Sequence, residues 1–160
     1  MVLVIIGVVS AFVGPKLAGS LTNMDLKTAA KRVAASLRYA RSQAASETIT
    51  YFALFDLDRR RVTIGPDERK REISWETSGE ETETPENRTA LKHYYLPEGV
   101  WIQKGISGDE EATSGLFLMA FFADGGSSGG SVILVNKRGH TYRIKADFIT
   151  GTVRVGSDET

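Results

Sequence analysis

The side chains that could do chemistry are few and far apart. His93 and His140 each lie in a strand-like stretch with no acidic residue at ligand spacing, where a histidine is more often a surface or core residue than a catalyst. Gly125-Gly126-Ser127-Ser128-Gly129-Gly130 lacks both the GxGxxG order and the Gly-Lys-Ser/Thr ending of a phosphate loop. It joins two strand patterns rather than a strand to a helix, so it reads as a flexible hairpin loop. Asp56 and Asp58, with Asp67 and Glu68 nearby, offer oxygen ligands for calcium, but carboxylates one residue apart at a strand end are usually solvated. The chain has no cysteine, hence no disulfide framework, no thiolate zinc site and no cysteine nucleophile. No catalytic, metal or cofactor-binding residue is assigned, and no cofactor is expected.

Two basic triplets, Arg59-Arg60-Arg61 and Arg69-Lys70-Arg71, could together bind phosphate and hence DNA. Asp58, Asp67, Glu68 and Glu72 flank them and weaken the field, so the favoured reading is charged hairpins on a solvated edge. The whole chain balances 20 basic against 20 acidic residues, and no global field draws it to nucleic acid. Local charge says more. The segment around Lys27, Lys31, Arg32, Arg38 and Arg41 is basic, whereas Glu76, Glu80, Glu81, Glu83 and Glu86 form an acidic run.

What must position these residues is organised around the amino-terminal stretch. Residues 1–15 carry no charge, and Val2, Leu3, Val4, Ile5, Ile6, Val8, Val9, Phe12 and Val13 leave no polar face. A helix apolar all round belongs in lipid or among other such helices. Gly14 and Pro15 predict a kink or local break where this stem returns to water, because proline removes one helix bond and clashes with the preceding turn. Beyond it Leu26, Ala30, Val33, Leu37, Ala40 and Ala44 recur in steps of four and three, an apolar stripe that predicts packing along its whole length to about Glu47. The stem supplies only about two-thirds of the roughly 20 apolar residues needed to span a bilayer. It also lacks the flanks of a secretory signal, so the apolar segment is expected to be incomplete at its amino end.

From residue 48 the period falls to two. Thr48 to Leu57 predicts a strand with Ile49, Tyr51, Ala53, Phe55 and Leu57 on one face, and Arg61 to Ile64 a short partner ended by Gly65-Pro66. Ile73 to Trp75, Ala90 to Tyr95 and Val100 to Lys104 are further short strand candidates. Polar loops are expected over Glu76 to Thr89 and Gly105 to Ser114, the second carrying Asp109, Glu110 and Glu111. Gly115 to Ala123 is apolar at both parities, which predicts a central strand covered on both faces. Ser131 to Val135, the turn Asn136-Lys137-Arg138-Gly139 and His140 to Ile149 read as a hairpin. Its second strand is expected to bury Tyr142, Ile144, Ala146 and Phe148, and Thr152 to Val155 closes the series. The connections are short, so pairing is antiparallel. The fold class is α+β, a long helix on one or two antiparallel sheets, with residues 1–15 as stem and 16–160 as one domain (helix 16–47, strands 48–156).

LVIIGVVSAFVGPKL followed by LRYARSQAAS resembles the amino-terminal helix of type IV pilin-like proteins, and FFADGGSSGGSVILVNKRGHTYRIKADFITGTVRV resembles the carboxy-terminal sheet of their GspH/FimT branch. Pairing the segment Ala40 to Ala44 with Phe122 to Gly125 and Ile149 to Gly151 narrows the likeness to that branch. It implies a minor pseudopilin of a type II secretion system, at or near the tip of a short periplasmic pseudopilus and held beforehand in the inner membrane by one helix. The implied partners are other major and minor pseudopilins and secreted proteins, with the two acidic loops as candidate recognition surface. A FimT-like or FimU-like pilin that primes pilus assembly or captures DNA is the alternative. The family's leader, cleavage site, methylated amino terminus and helix glutamate fall on no residue of this sequence. In this setting Asn87-Arg88-Thr89, which fits a glycosylation acceptor, reads as chance.

Overall fold

The computed structural model describes the backbone of residues 2–67 and 91–157, and side chains of the amino-terminal helix from Thr22 onward. The expected strand at Ile73 to Trp75, the loop Glu76 to Thr89 and the triplet Arg69-Lys70-Arg71 lie outside the described residues, as do the side chains of the stem.

One helix, α1 (Val2–Glu47), runs through Gly14 and Pro15 without interruption, so the chain does not leave the helix at the expected break. Its second half is where sequence pattern becomes packing. Leu26, Ala30, Val33, Leu37, Ala40 and Ala44 are fully buried, joined by Ala29 and Ala34, which the stripe did not include. Five alanines on this face keep the helix backbone close to the strands beneath.

Those strands form two antiparallel sheets. The first has β1 (Tyr51–Asp56), β2 (Arg61–Pro66), β3 (Lys92–Tyr95) and β6 (Leu116–Phe121) in the order β3-β2-β1-β6. The second has β4 (Val100–Ser107), β5 (Glu110–Ala112), β7 (Gly130–Asn136), β8 (Thr141–Ala146) and β9 (Val153–Ser157) in the order β5-β4-β7-β8-β9. The helix packs on strands of both. One core results, with Tyr51, Phe55, Met119 and Phe121 from the first sheet meeting Val132, Leu134 and Ile144 from the second.

Several sequence expectations are corrected. Gly115 to Ala123 gives not a central strand but the edge strand β6, covered on one face: Phe117, Met119 and Phe121 point into the core while Leu116 and Leu118 are 63% and 53% exposed. An apolar run at both parities is ambiguous between these outcomes; the strands buried on both faces are β2 and β7. Gly65 and Pro66 do not end β2; Pro66 pairs with Tyr51 at its far end. The polar stretch Gly105 to Ser114 is largely a hairpin, turning at Gly108 (φ 59°) with Ser107 opposite Glu110 and Gly105 opposite Ala112. Charged residues suit such an outer strand because it has little to bury. Phe148 lies beyond the end of β8 and is exposed, not part of its buried face. Residues Gly125 to Gly130 do not close a hairpin, because they carry the chain from the first sheet to the second.

Candidate functional site

The segments that carried the family resemblance, far apart in sequence, meet at one place beside the helix. The Arg41 side chain donates from Nε to the carbonyl of Gly125 at 3.1 Å. Gly151 sits against both, in the left-handed region at φ 61°, so near that an added Cβ would lie 2.3 Å from the Gly125 oxygen and 2.9 Å from Arg41 Nε. Only a residue without a side chain fits there. One turn earlier, Arg38 reaches the Val153 carbonyl at 3.0 Å. Two arginines on adjacent turns thus fasten the helix to the glycine crossover and to the last strand.

The crossover is held as firmly by its own bonds. Ser127, 1% exposed, donates its hydroxyl to the Asp147 carbonyl at 2.8 Å and accepts the Gly129 N–H at 3.0 Å, while its own N–H reaches the Phe148 carbonyl. Ser128 pairs with Ala120 through backbone and hydroxyl together. In the facing turn, the Asp147 carboxylate accepts from the N–H and hydroxyl of Thr150 and from the N–H of Ile149. These donors, Thr150 first, hold its pKa below the ordinary carboxylate value. Around this junction Phe122, Phe148 and Ile149 expose large apolar surface.

At the other end of the buried helix face, Asn23 Oδ1 accepts from the Asn136 amide at 2.8 Å and lies 2.7 Å from His140 Nδ1. Asn136 Oδ1 in turn accepts the N–H groups of Arg138 and His140, which closes the β7–β8 turn. His140 is thereby a strut between hairpin and helix. His93 Nδ1 lies 3.1 Å from the Thr63 hydroxyl across the β2–β3 pair. Beside Asn23 an open cleft of about 1410 Å³ runs between α1 and the five-stranded sheet, lined by Lys27, Lys31, Lys104, Arg143 and His140. Among the described residues no carboxylate lines it.

The remaining sequence candidates are placed as follows. Arg59 and Arg60 lie in the β1–β2 turn and Arg61 opens β2; Asp56 accepts the Arg59 N–H at 2.9 Å and pairs with the Arg61 guanidinium at 3.7 Å. Asp58 accepts the Gly115 N–H at 3.0 Å. Of the four carboxylates that could serve calcium, Asp56 and Asp58 are engaged with the protein and Glu68 lies outside the described residues; no cluster of three or more metal-ligating side chains occurs among the described residues. Asp109, Glu110 and Glu111 are exposed on the β4–β5 hairpin, with Glu111 held by Lys104 at 2.9 Å. Where β3 meets the helix, burial raises the Tyr94 hydroxyl pKa against the opposing pull of Arg32, and Lys92 lies 3.7 Å from the centre of the Tyr39 ring. Sequence spacing alone does not reveal the Arg41–Gly125–Gly151 contact, although the three matched segments contain it.

A long amino-terminal helix laid by an alanine-rich face on antiparallel sheets, and pinned at a glycine crossover, is a pilin-like fold of the α+β class. In sequence the chain is 28% identical over 156 residues to the type II secretion system protein H of Xanthomonas campestris pv. campestris, which covers 98% of this chain and 78% of that protein. The minor pseudopilin EpsH from the type 2 secretion system of Vibrio cholerae has a similar fold, with a TM-score of 0.59 at 16% identity over 85% of this chain and 99% of that one. The type IV minor pilin FimU of Pseudomonas aeruginosa aligns with a TM-score of 0.50 at 15% identity, over 86% of this chain and 90% of that one. No protein-family profile matches the chain. The fold is thus pilin-like, and in sequence the chain is similar to a type II secretion protein H. Among the residues with described side chains, from Thr22 onward, no helix is long and apolar enough to cross a membrane.

Proposed function

We propose that the chain is a minor pseudopilin, a structural subunit of a type II secretion pseudopilus that supports protein export, acting by assembly. The observation that carries this reading is the likeness to type II secretion protein H over 98% of this chain and 78% of that protein, together with a fold like that of EpsH. On this reading the globular part works in the periplasm and meets other pseudopilins. Residues 1–15 hold the subunit in the inner membrane before assembly, and Val2, Leu3, Val4, Ile5, Ile6, Val8, Val9, Phe12 and Val13 then pack against neighbouring stems in the filament core, with Gly14 and Pro15 at the junction. Burying a side chain such as Ile5 or Phe12 contributes about 1.5–3 kcal/mol, so a row of them can hold a subunit without a covalent bond. A place at or near the tip leaves the hairpin bearing Asp109, Glu110 and Glu111, and the run Glu76 to Glu86, facing partner subunits or secreted proteins.

The DNA-capturing alternative has less behind it. The Asp56 carboxylate already neutralises Arg61, and Asp58 sits in the same turn. The test of the main reading is secretion itself. In a strain lacking the gene, the intact gene is expected to restore export of the secreted proteins, and a copy lacking the apolar stem to fail. Full export without the gene would contradict the proposal.

A further inference from the structure

We propose that the outer edge of β6 is a pairing slot that receives a short extended segment of a neighbouring pilin-like subunit as an added strand. The identity of that partner rests on the minor-pseudopilin reading; the slot itself rests on the strand's geometry.

An unpaired sheet edge invites another strand, and proteins commonly blunt their edges with charge. Among the described strands the two sheets end in β3, β6, β5 and β9. β3 carries Lys92 and His93, β5 carries Glu110 and Glu111, and β9 carries Arg154. β6 (Leu116–Phe121) has no charge at all and exposes Leu116 and Leu118.

Backbone direction settles what the edge offers. In an antiparallel pair a residue turns both its N–H and its C=O to the same side, and the side alternates along the strand. Ala120 bonds through both groups to Ser128, away from β1, whereas the Gly115 carbonyl accepts from Leu57 on the β1 side. The groups of Phe117, Met119 and Phe121 therefore serve the β1 ladder, and those of Leu116 and Leu118 point outward, where no described residue bonds them. This leaves two donors and two acceptors in a row beside exposed leucines. The chemistry fits an extended segment whose main chain supplies the bonds and whose alternate apolar side chains lie over Leu116 and Leu118.

Ser128 closes the slot at the Ala120 end, so an incoming strand must stop there. That argues against a second copy of this chain. In a two-fold β6–β6 pair each copy's Ser128 segment would occupy the place of the other's residues near Ser114. A strand end or tail from a different subunit meets no such block.

The test uses the full chain in detergent micelles, titrated with each purified minor pseudopilin encoded alongside it, with amide hydrogen exchange read residue by residue. In the free chain the Leu116 and Leu118 amides should exchange fast and those of Phe117 and Met119 slowly. On binding, the Leu116 and Leu118 amides should slow by at least about tenfold. Leu118→Pro removes an outward N–H without removing a bond to β1 and should weaken binding at least about tenfold. The double change of Leu116→Lys and Leu118→Lys tests the same edge should the proline variant fail to fold. Binding with no change at Leu116 and Leu118 would overturn the slot and leave the pseudopilin reading intact. Protection that grows with concentration of this chain alone would make a second copy the occupant and overturn the proposal. No binding by any of the pseudopilins would count against the partner reading and so against the slot's occupant.

Discussion

Gly151→Ala is expected to be among the most damaging single-methyl changes that can be made outside the core. At φ 61° an alanine pays the left-handed penalty of about 1–2 kcal/mol. Its Cβ would also stand 2.3 Å from the Gly125 oxygen, a backbone atom that cannot swing aside, and 2.9 Å from Arg41 Nε. Relief requires the two loops to separate, which gives up the Arg41–Gly125 hydrogen bond, a further loss of about 0.5–1.5 kcal/mol. The sum is about 1.5–3.5 kcal/mol. Gly139→Ala supplies the control, because Gly139 has φ 83° and nothing within 4 Å of an added Cβ, so it bears the backbone penalty alone. Urea unfolding of both variants, followed by circular dichroism, should place Gly151→Ala below Gly139→Ala by about 0.5–1.5 kcal/mol. Equal losses would refute the claim that this junction fastens the helix to the sheets.

Two further outcomes follow from the packing and the electrostatics. On β6 the two faces should respond oppositely: Met119→Ala, at a fully buried position, should cost about 2–5 kcal/mol, whereas Leu118→Lys, half exposed, should stay within about 0.5 kcal/mol in the same unfolding assay. Asp147 should make stability depend on acid. Its folded pKa lies below the unfolded value of about 3.9, so the charged form is favoured in the native state; its contribution is present above that pH and disappears as pH falls through the lower folded value. Stability measured against pH for Asp147→Asn should therefore lose part of the wild-type decline below about pH 4. An unchanged acid profile would mean that the Thr150 and Ile149 donors do not favour the carboxylate.

The helix and the β7–β8 hairpin were legible in the sequence because each announces itself locally. Leu26 to Ala44 repeat at helical spacing, and Asn136-Lys137-Arg138-Gly139 is turn chemistry between two alternating runs. β6 was misread because a run apolar at both parities does not say whether its second face is covered, and here Leu116 and Leu118 are not. β5 was hidden for the opposite reason: an outer strand buries so little that Glu110 and Glu111 look like loop. The glycine crossover was mistaken for a hairpin because strand order is set by contacts between distant segments, and composition carries no record of those. The same holds for Arg41 and Gly125, 84 residues apart, whose contact no local pattern encodes.

The measurement that tests the central claim most directly is calorimetric titration of the full chain against the minor pseudopilins encoded beside it, with double-stranded DNA titrated in parallel at two salt concentrations. The account predicts saturable binding to at least one pseudopilin and no salt-sensitive response to DNA. Salt-sensitive DNA binding, lost on removing Arg59 to Arg61 or Arg69 to Arg71 and unaccompanied by any pseudopilin contact, would contradict it and move the chain to the DNA-capturing pilins.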